Sequence, residues 1–309
     1  MSMAVLHLLF LFLNLHSGCQ NRKKNMPKWA FKIAVKLVLG RVPYRHTILK
    51  KLGIFRHGKM EDIDYALRVF QKHINWAYPD GMPPNLILLE LGPGDSLVSA
   101  LIAKSYGAEK IYHVDIGAYA EQDVELYRKF AEQLRAKGLD SPDLSETQTM
   151  QDVMEICGSV YMVKGLESLK KIPSDSVDFI WSHSVVEHIR KREFRAIMLE
   201  LSRIVKFDGR VSHNVDLQDH LEKKLNNLRF SDRFWENDIV ADSGFYTNRL
   251  RYTQSLDLMK NSGFSVLNTE TGKWESIPTP REKLHHMFRD FDDEELKIRT
   301  YRVLLEKAA

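Results

Sequence analysis

The sequence predicts an α/β chain whose core is a mostly parallel sheet covered by helices on both faces. Three observations carry that prediction. Short apolar runs alternate with amphipathic helical stretches between residues 86 and 215. Those runs, of which Leu86–Leu91 is the clearest, are continuously apolar, as strands buried on both faces are. The last two strand-like segments, Phe264–Thr269 and Leu296–Glu306, have no long helical pattern between them, which fits an antiparallel edge pair.

The elements can be justified in chain order. Residues 1–25 stand apart: Met3 to Leu15 is a Leu- and Phe-dominated run, too short to span a bilayer as a helix. It reads either as an apolar leader, with no Lys or Arg ahead of it and an incomplete cleavage box at His16-Ser17-Gly18-Cys19, or as sequence preceding a true start at Met26. Residues 26–84 read as a basic helical extension. In it, Met26 to Leu39 predicts a helix with Pro27 near its start and Gly40 at its end. Lys28, Lys32 and Lys36 share one face, while Trp29, Ile33, Leu37 and Phe31, Val35, Val38 cover much of the remainder. This layout suits a helix lying in a membrane interface, or one packed on the domain with a snorkelling Lys edge. Glu61 to Ala77 is a second helix, ended by Pro79-Asp80-Gly81.

Residues 85–309 form the main domain. Strands are expected at Leu86–Leu91, Lys110–Val114, Val160–Val163, Val177–Trp181 and Gly209–Val215, before the final pair. Helices are expected at Ser96–Tyr106, Glu121–Lys137 and Glu193–Val205, and Ser141–Thr149 is polar and read as a loop.

The charge is unevenly spread. From Arg22 to Lys59 there are twelve Lys or Arg and no acid; the rest of the chain holds 33 basic against 41 acidic residues. A basic arm on an acidic body suggests an anionic partner for residues 22–59: a membrane surface, a nucleic acid or a phosphorylated lipid. The two cysteines, Cys19 and Cys157, lack any pattern of metal ligands or disulfide pairing, so no metal site is expected and a reducing compartment fits.

The chemistry concentrates at Leu88-Leu89-Glu90-Leu91-Gly92-Pro93-Gly94-Asp95-Ser96, where a buried strand enters a glycine turn and then a helix. Glycine lets the backbone turn tightly and lets a ligand approach closely. Asp115 ends the next strand, where a carboxylate can accept both ribose hydroxyls of an adenosine. The third glycine of a dinucleotide fingerprint is replaced by Leu97, and no Gly-Lys-Ser/Thr is present. Glu90 would repel a pyrophosphate but suits the cationic sulfur and amino group of S-adenosyl-L-methionine, so charge sign separates the cofactors.

With these residues in place, the chain resembles the class I S-adenosylmethionine-dependent methyltransferase superfamily from about Asn85 to Glu306. Glu90 to Gly94 resembles its first motif, and Asp115 its ribose-binding acid, with Ile116 beside it. Ile172 to Ser182 resembles the fourth-strand motif, and Ser184-Val185-Val186-Glu187-His188 the helix opening of the small-molecule subgroup called type 11. Leu199 to Val211 is similar to the segment where a helix, a Gly turn and the fifth strand follow. The resemblance implies a Rossmann-like, seven-stranded, mostly parallel sheet with an antiparallel C-terminal strand pair. It also implies cofactor contacts from Glu90, Gly92, Gly94, Asp115, Ile116, Leu166, Glu167 and Ser182. One departure stands out. The acid expected after the third strand is replaced by Gly165-Leu166, with Glu167 one residue later. Either Glu167 or backbone groups around Leu166 and Leu169 would then hold the adenine.

A proton-accepting group is expected beyond the fifth strand, in Ser212-His213-Asn214-Val215-Asp216-Leu217-Gln218-Asp219-His220. If residues 216–220 form a helical turn, Asp216 and His220 share a face and can pair; His213 is the other candidate base. Residues 216–250 are too long for a simple connection and are rich in amide, aromatic and Arg side chains. They read as a substrate lid, or alternatively as a dimer contact, with His188, Arg229, Tyr246 and Asn248 as acceptor-binding candidates. The expected activity is methyl transfer by direct displacement to a small-molecule, glycan or lipid-linked acceptor. An RNA methyltransferase and a non-catalytic cofactor-binding subunit are the alternatives; nucleic acid ranks low because no aromatic–basic module accompanies the arm. A cytosolic cofactor implies a cytoplasmic protein, with peripheral membrane contact through the arm. Oligomeric state is not legible.

Overall fold

The structure is a computed structural model that describes residues 28–39 and 62–308. The leader or pre-start segment 1–25 and residues 40–59 of the basic arm lie outside the described residues.

Seven strands form one sheet: β1 (Ile87–Leu91), β2 (Lys110–Val114), β3 (Ser159–Met162), β4 (Val177–His183), β5 (Val205–Asp216), β6 (Phe264–Lys273) and β7 (Ile298–Lys307). Their order is β3-β2-β1-β4-β5-β7-β6. The first five pair in parallel, and β7 lies antiparallel between β5 and β6. This is the Rossmann-like sheet with an antiparallel C-terminal pair that the sequence predicts. The reversal of strand order falls between β1 and β4, so ligands are expected above the carboxyl ends there.

Helices coat both faces. On one side lie α2 (Ile63–Ala77), α3 (Val98–Ser105), α4 (Val124–Ala136) and α5 (Met150–Ile156). Ala66, Phe70 and Ile74 of α2 pack with Leu88, Phe179 and Trp181, so α2 is part of the domain's core although the sequence grouped it with the extension. Asp62 starts that helix by accepting the amide protons of Asp64 and Tyr65. On the other side, α7 (Lys191–Ile204) and α10 (Tyr252–Lys260) bury Phe194, Met198, Leu201 and Met259 against Leu89, Ile180, Val211 and Val303. A short turn of helix, α6 (Leu166–Leu169), follows β3.

Several elements differ from expectation for identifiable reasons. α5 follows the predicted loop because Thr149 and Asp152 form a reciprocal capping box. β5 starts at Val205, ahead of Gly209, and ends at Asp216 because its pairing with β7 continues to Thr300. Gly209 sits inside the strand where a Cβ would lie 2.9 Å from the carbonyl oxygen of Asp178, a close backbone approach. Leu296 belongs to α11 (Asp293–Lys297), so β7 begins at Ile298.

Helix α1 (Lys28–Leu39) packs on the insertion, which contains α8 (Asp232–Trp235) and α9 (Asp238–Ala241). Ile33 is buried with Leu221, Trp235, Val240, Phe245 and Tyr246, and Trp29 and Leu37 rest on the same cluster. The Lys32 ammonium donates to the carbonyl of Leu221 at 2.6 Å. The apolar stripe of this helix therefore serves protein packing, while Phe31 stays 48% exposed.

Candidate functional site

The glycine turn leaves β1 with Gly92 at φ +74° and Gly94 at φ +68°, conformations that glycine adopts without a side-chain penalty. Space makes the same demand at Gly92, where a Cβ would meet Val185 Cγ2 at 2.5 Å. The Gly94 amide donates to Asp115 Oδ2 at 3.1 Å and the Ile116 amide to Asp115 Oδ1 at 2.7 Å. Asp115 is thereby fixed at the end of β2, its carboxylate tied to both the turn and its own loop. Ile116 is 77% exposed beside it. Gly165, at φ +50°, brings the start of α6 against Ile116. Gly92, Gly94, Asp115, Ile116 and Leu166 thus come together at the accessible carboxyl ends of β1, β2 and β3.

Glu90 lies beneath this surface, 4% exposed. Its carboxylate accepts from the Ser99 hydroxyl and lies 3.5 Å from His113 Nε2. His113 is held between Ser99 and Ser159 at 2.9 Å each. Burial pulls the His113 imidazole down to about 3, so it is neutral and forms no ion pair with Glu90. Burial pushes the Glu90 carboxyl up to about 7, opposed by the Ser99 hydrogen bond and reinforced by Asp115. Glu90 is therefore a buried acid with no opposing charge beside it among the described residues, and burial disfavours its ionised form.

Other sequence candidates take different places. Glu167 is exposed and pairs with Lys170 at 2.6 Å, turned along α6. Ser182 is fully buried with its hydroxyl 2.8 Å from His213 Nδ1, below the accessible surface. His213 is likewise buried, its Nε2 has no hydrogen-bond partner, and burial lowers its imidazole to about 4. The helical turn expected over 216–220 does not form. Asp216 is still in β5 and accepts from the Gln218 backbone and side-chain amides at 2.9 and 3.0 Å. The Asp219 carboxylate takes the amide protons of Leu221, Glu222, Lys224 and Asn226, holding a loop that competes with helix. His220 instead stacks on His188, with ring centroids 4.9 Å apart and an interplanar angle of 14°. Both rings are exposed at the ends of β4 and β5.

The insertion candidates divide. Arg229 stacks over Trp29 at 5.2 Å and donates to Asn226, bridging insertion and α1. Tyr246 donates to the Glu236 carboxylate at 2.9 Å, and its carbonyl lies 2.8 Å from His188 Nδ1. Asn248 is 2% exposed, with its amide spent on the carbonyls of Val186 and Ile189. Tyr246 and Asn248 are thus internal supports for the wall on which His188 stands. Sequence reasoning passed over Glu187 within its motif. That carboxyl is 2% exposed, accepts the Asp216 amide through Oε1 and leaves Oε2 unpartnered; burial raises it to about 8. Its position directly after the β4 motif was the available signal.

Among the described residues, no cluster of three or more His, Cys, Asp or Glu could hold a metal ion, and no helix is long and apolar enough to cross a membrane.

Comparison with known proteins adds a domain match. Residues 89–212 match the family model described as a methyltransferase domain. None of the curated proteins matches the sequence. Solved structures are similar at low identity. One is an S-adenosylmethionine-dependent methyltransferase from Methanosarcina mazei, with 15% identity, TM-score 0.46, and 74% of this chain and 96% of that chain covered. Another is an S-adenosylmethionine-dependent methyltransferase from Mesorhizobium loti, with 14% identity, TM-score 0.42, and 80% and 100% covered. A third is geranyl diphosphate C-methyltransferase from Streptomyces coelicolor A3(2), with 12% identity, TM-score 0.44, and 79% of each chain covered. Residues 89–212 thus match a methyltransferase domain, set in the Rossmann-like sheet described above.

Proposed function

We propose that the protein transfers a methyl group from S-adenosylmethionine to a small-molecule, glycan or lipid-linked acceptor. One observation supports this most: Asp115 and the Gly92–Gly94 turn are locked together at the accessible strand ends, directly above an uncompensated buried acid, Glu90. When bound there, S-adenosylmethionine supplies a methyl on a cationic sulfur, already activated for displacement. Asp115 would hold the ribose hydroxyls, since each carboxylate oxygen can accept more than one hydrogen bond. Glu90 would favour the positive end. Backbone around Leu166 suits the adenine better than Glu167, which is engaged with Lys170. The chain's remaining task is to align an acceptor and exclude water.

We place the acceptor over the ends of β4 and β5, beside the His188–His220 stack. His220 is then the group best placed to take a proton from a hydroxyl or amine, a contribution of typically ~10²–10⁴-fold. His213 would act only through Ser182, and Asp216 through the loop it holds. Arg229 lies on the insertion side of the same region. The basic arm, residues 22–59, would bring the protein to an anionic membrane surface, which favours a lipid-linked acceptor.

Isothermal titration tests the core of this reading. The wild-type protein is expected to bind S-adenosylmethionine, and a Glu90→Ala, Asp115→Ala double variant to lose that binding. Affinity for a nicotinamide or flavin nucleotide in its place would overturn the assignment. Mass spectrometry of cell extract incubated with methyl-labelled cofactor then identifies the acceptor.

A further inference from the structure

Residues 246–249, at the end of the insertion, are tied on two sides. On the insertion side, the Trp235 indole donates to the Thr247 carbonyl at 2.8 Å and the Asn227 amide to the Thr247 hydroxyl at 2.9 Å. The buried Arg249 guanidinium donates to the Phe230 carbonyl at 2.6 Å and pairs with Asp232. On the other side, the Asn248 backbone amide donates to Glu187 O at 2.7 Å, and its side-chain amide donates to Val186 O at 2.8 Å and Ile189 O at 3.0 Å. Asn248 Oδ1 accepts the Leu250 amide at 3.1 Å, so the side chain is fixed at both ends.

The segment that Asn248 grips begins at the cofactor turn. Val185 fills the space in front of Gly92, where a Cβ would come within 2.5 Å of it. Ser184, just before, is held at φ +56°, and Arg249, just after Asn248, at φ +62°. Non-glycine residues resist that conformation, so each is kept there by its surroundings. A continuous path of contacts therefore runs from the insertion through Asn248 and residues 186–189 to Val185 and Gly92.

We propose that Asn248 is a positioning residue that sets Val185 against Gly92, so that the packing of the acceptor-side insertion controls the fit of the cofactor turn. Closure of the insertion over an acceptor and occupation of the turn by S-adenosylmethionine then favour each other, because coupling between two sites is reciprocal. The inference rests on the methyltransferase reading and deepens it. It assigns to residues 246–249 a role beyond filling space.

The test is a double-mutant cycle read by titration with S-adenosylhomocysteine, on full-length protein. Asn248→Ala is expected to weaken binding about tenfold, within the usual range of intersite coupling. Val185→Ala is expected to weaken it as well, and the double variant to be no weaker than the worse single variant, because both act on one path. Ser202→Ala is the control, since it removes the hydrogen bond from the Ser202 hydroxyl to the Gly263 carbonyl at 3.1 Å, which joins α7 to the turn before β6 and involves neither residues 185–189 nor residues 246–249. It should lower the melting temperature yet leave affinity within about twofold. If Asn248→Ala does not fold, Val185→Ala carries the test alone, with faster amide exchange at Gly92 and Gly94 expected. Unchanged affinity in Asn248→Ala or Val185→Ala, additive losses, or an equal loss in Ser202→Ala would overturn the coupling. Absence of binding by the wild-type protein would instead overturn the methyltransferase reading.

Discussion

Glu90 is pulled in two directions near neutral pH. Burial favours its protonated form and holds it at about 7 in the ligand-free protein. A cationic ligand above it favours the carboxylate and lowers that value. Binding of S-adenosylmethionine should therefore release protons, and affinity should climb as pH rises through 7, by about tenfold between pH 6 and 8. The sign for folding is opposite: with its folded value raised from 4.5 to about 7, Glu90 costs stability progressively as pH rises across that window. Titration in buffers of different ionisation enthalpy measures the proton release directly. Glu90→Gln should bind more weakly and lose the pH dependence; a flat profile in the wild-type protein would remove Glu90 from the cofactor's electrostatics. Glu90 and the glycine turn were legible as a pattern, because charge sign and glycine geometry are local properties. Val185 and Asn248 were not, since their roles exist only where segments about sixty residues apart meet. The same holds for Asp216, whose expected pairing with His220 depended on a helical turn that the β5–β7 pairing prevents.

At the scale of elements, the long parallel strands and the amphipathic α2 and α7 follow from periodicity alone, whereas α5 depends on a capping box across only seven helical residues. Helix α1 is the instructive case. Its lysine spacing suited either a membrane interface or a packed edge, and the choice between them lies in what its apolar stripe touches. Ile33 is 7% exposed against the insertion, so burial contributes roughly 1.5–3 kcal/mol to docking the helix. Ile33→Ala should cost about 2 kcal/mol or more of that docking. Hydrogen exchange within residues 28–39 is expected to accelerate while exchange in β1 and β4 stays unchanged. Equal acceleration throughout the domain would mean that α1 is integral to the core.

At the scale of the whole molecule, charge and topology give the protein a direction. The strand ends that carry the site share one edge of the sheet with the insertion, and α1 rests on that insertion. The basic stretch from Arg22 to Lys59 includes this helix, while the rest of the chain carries 33 basic and 41 acidic residues. An anionic surface would attract residues 22–59 and repel the body, so α1, the described part of that stretch, would approach first together with the insertion it packs on. Phe31, 48% exposed, and the exposed Lys28 are placed to meet it without undocking α1. Each Lys or Arg near such a surface contributes about 1 kcal/mol, screened by salt. Reversing four charges, Arg22→Glu, Lys23→Glu, Lys24→Glu and Lys28→Glu, leaves the buried stripe of α1 intact. This variant should lose sedimentation with phosphatidylglycerol-containing vesicles and keep its affinity for S-adenosylmethionine, whereas the wild-type protein should be released as salt rises and should ignore pure phosphatidylcholine. Equal sedimentation of both proteins would show that the arm's charge serves some purpose other than a lipid surface, and the acceptor would then be sought among soluble molecules.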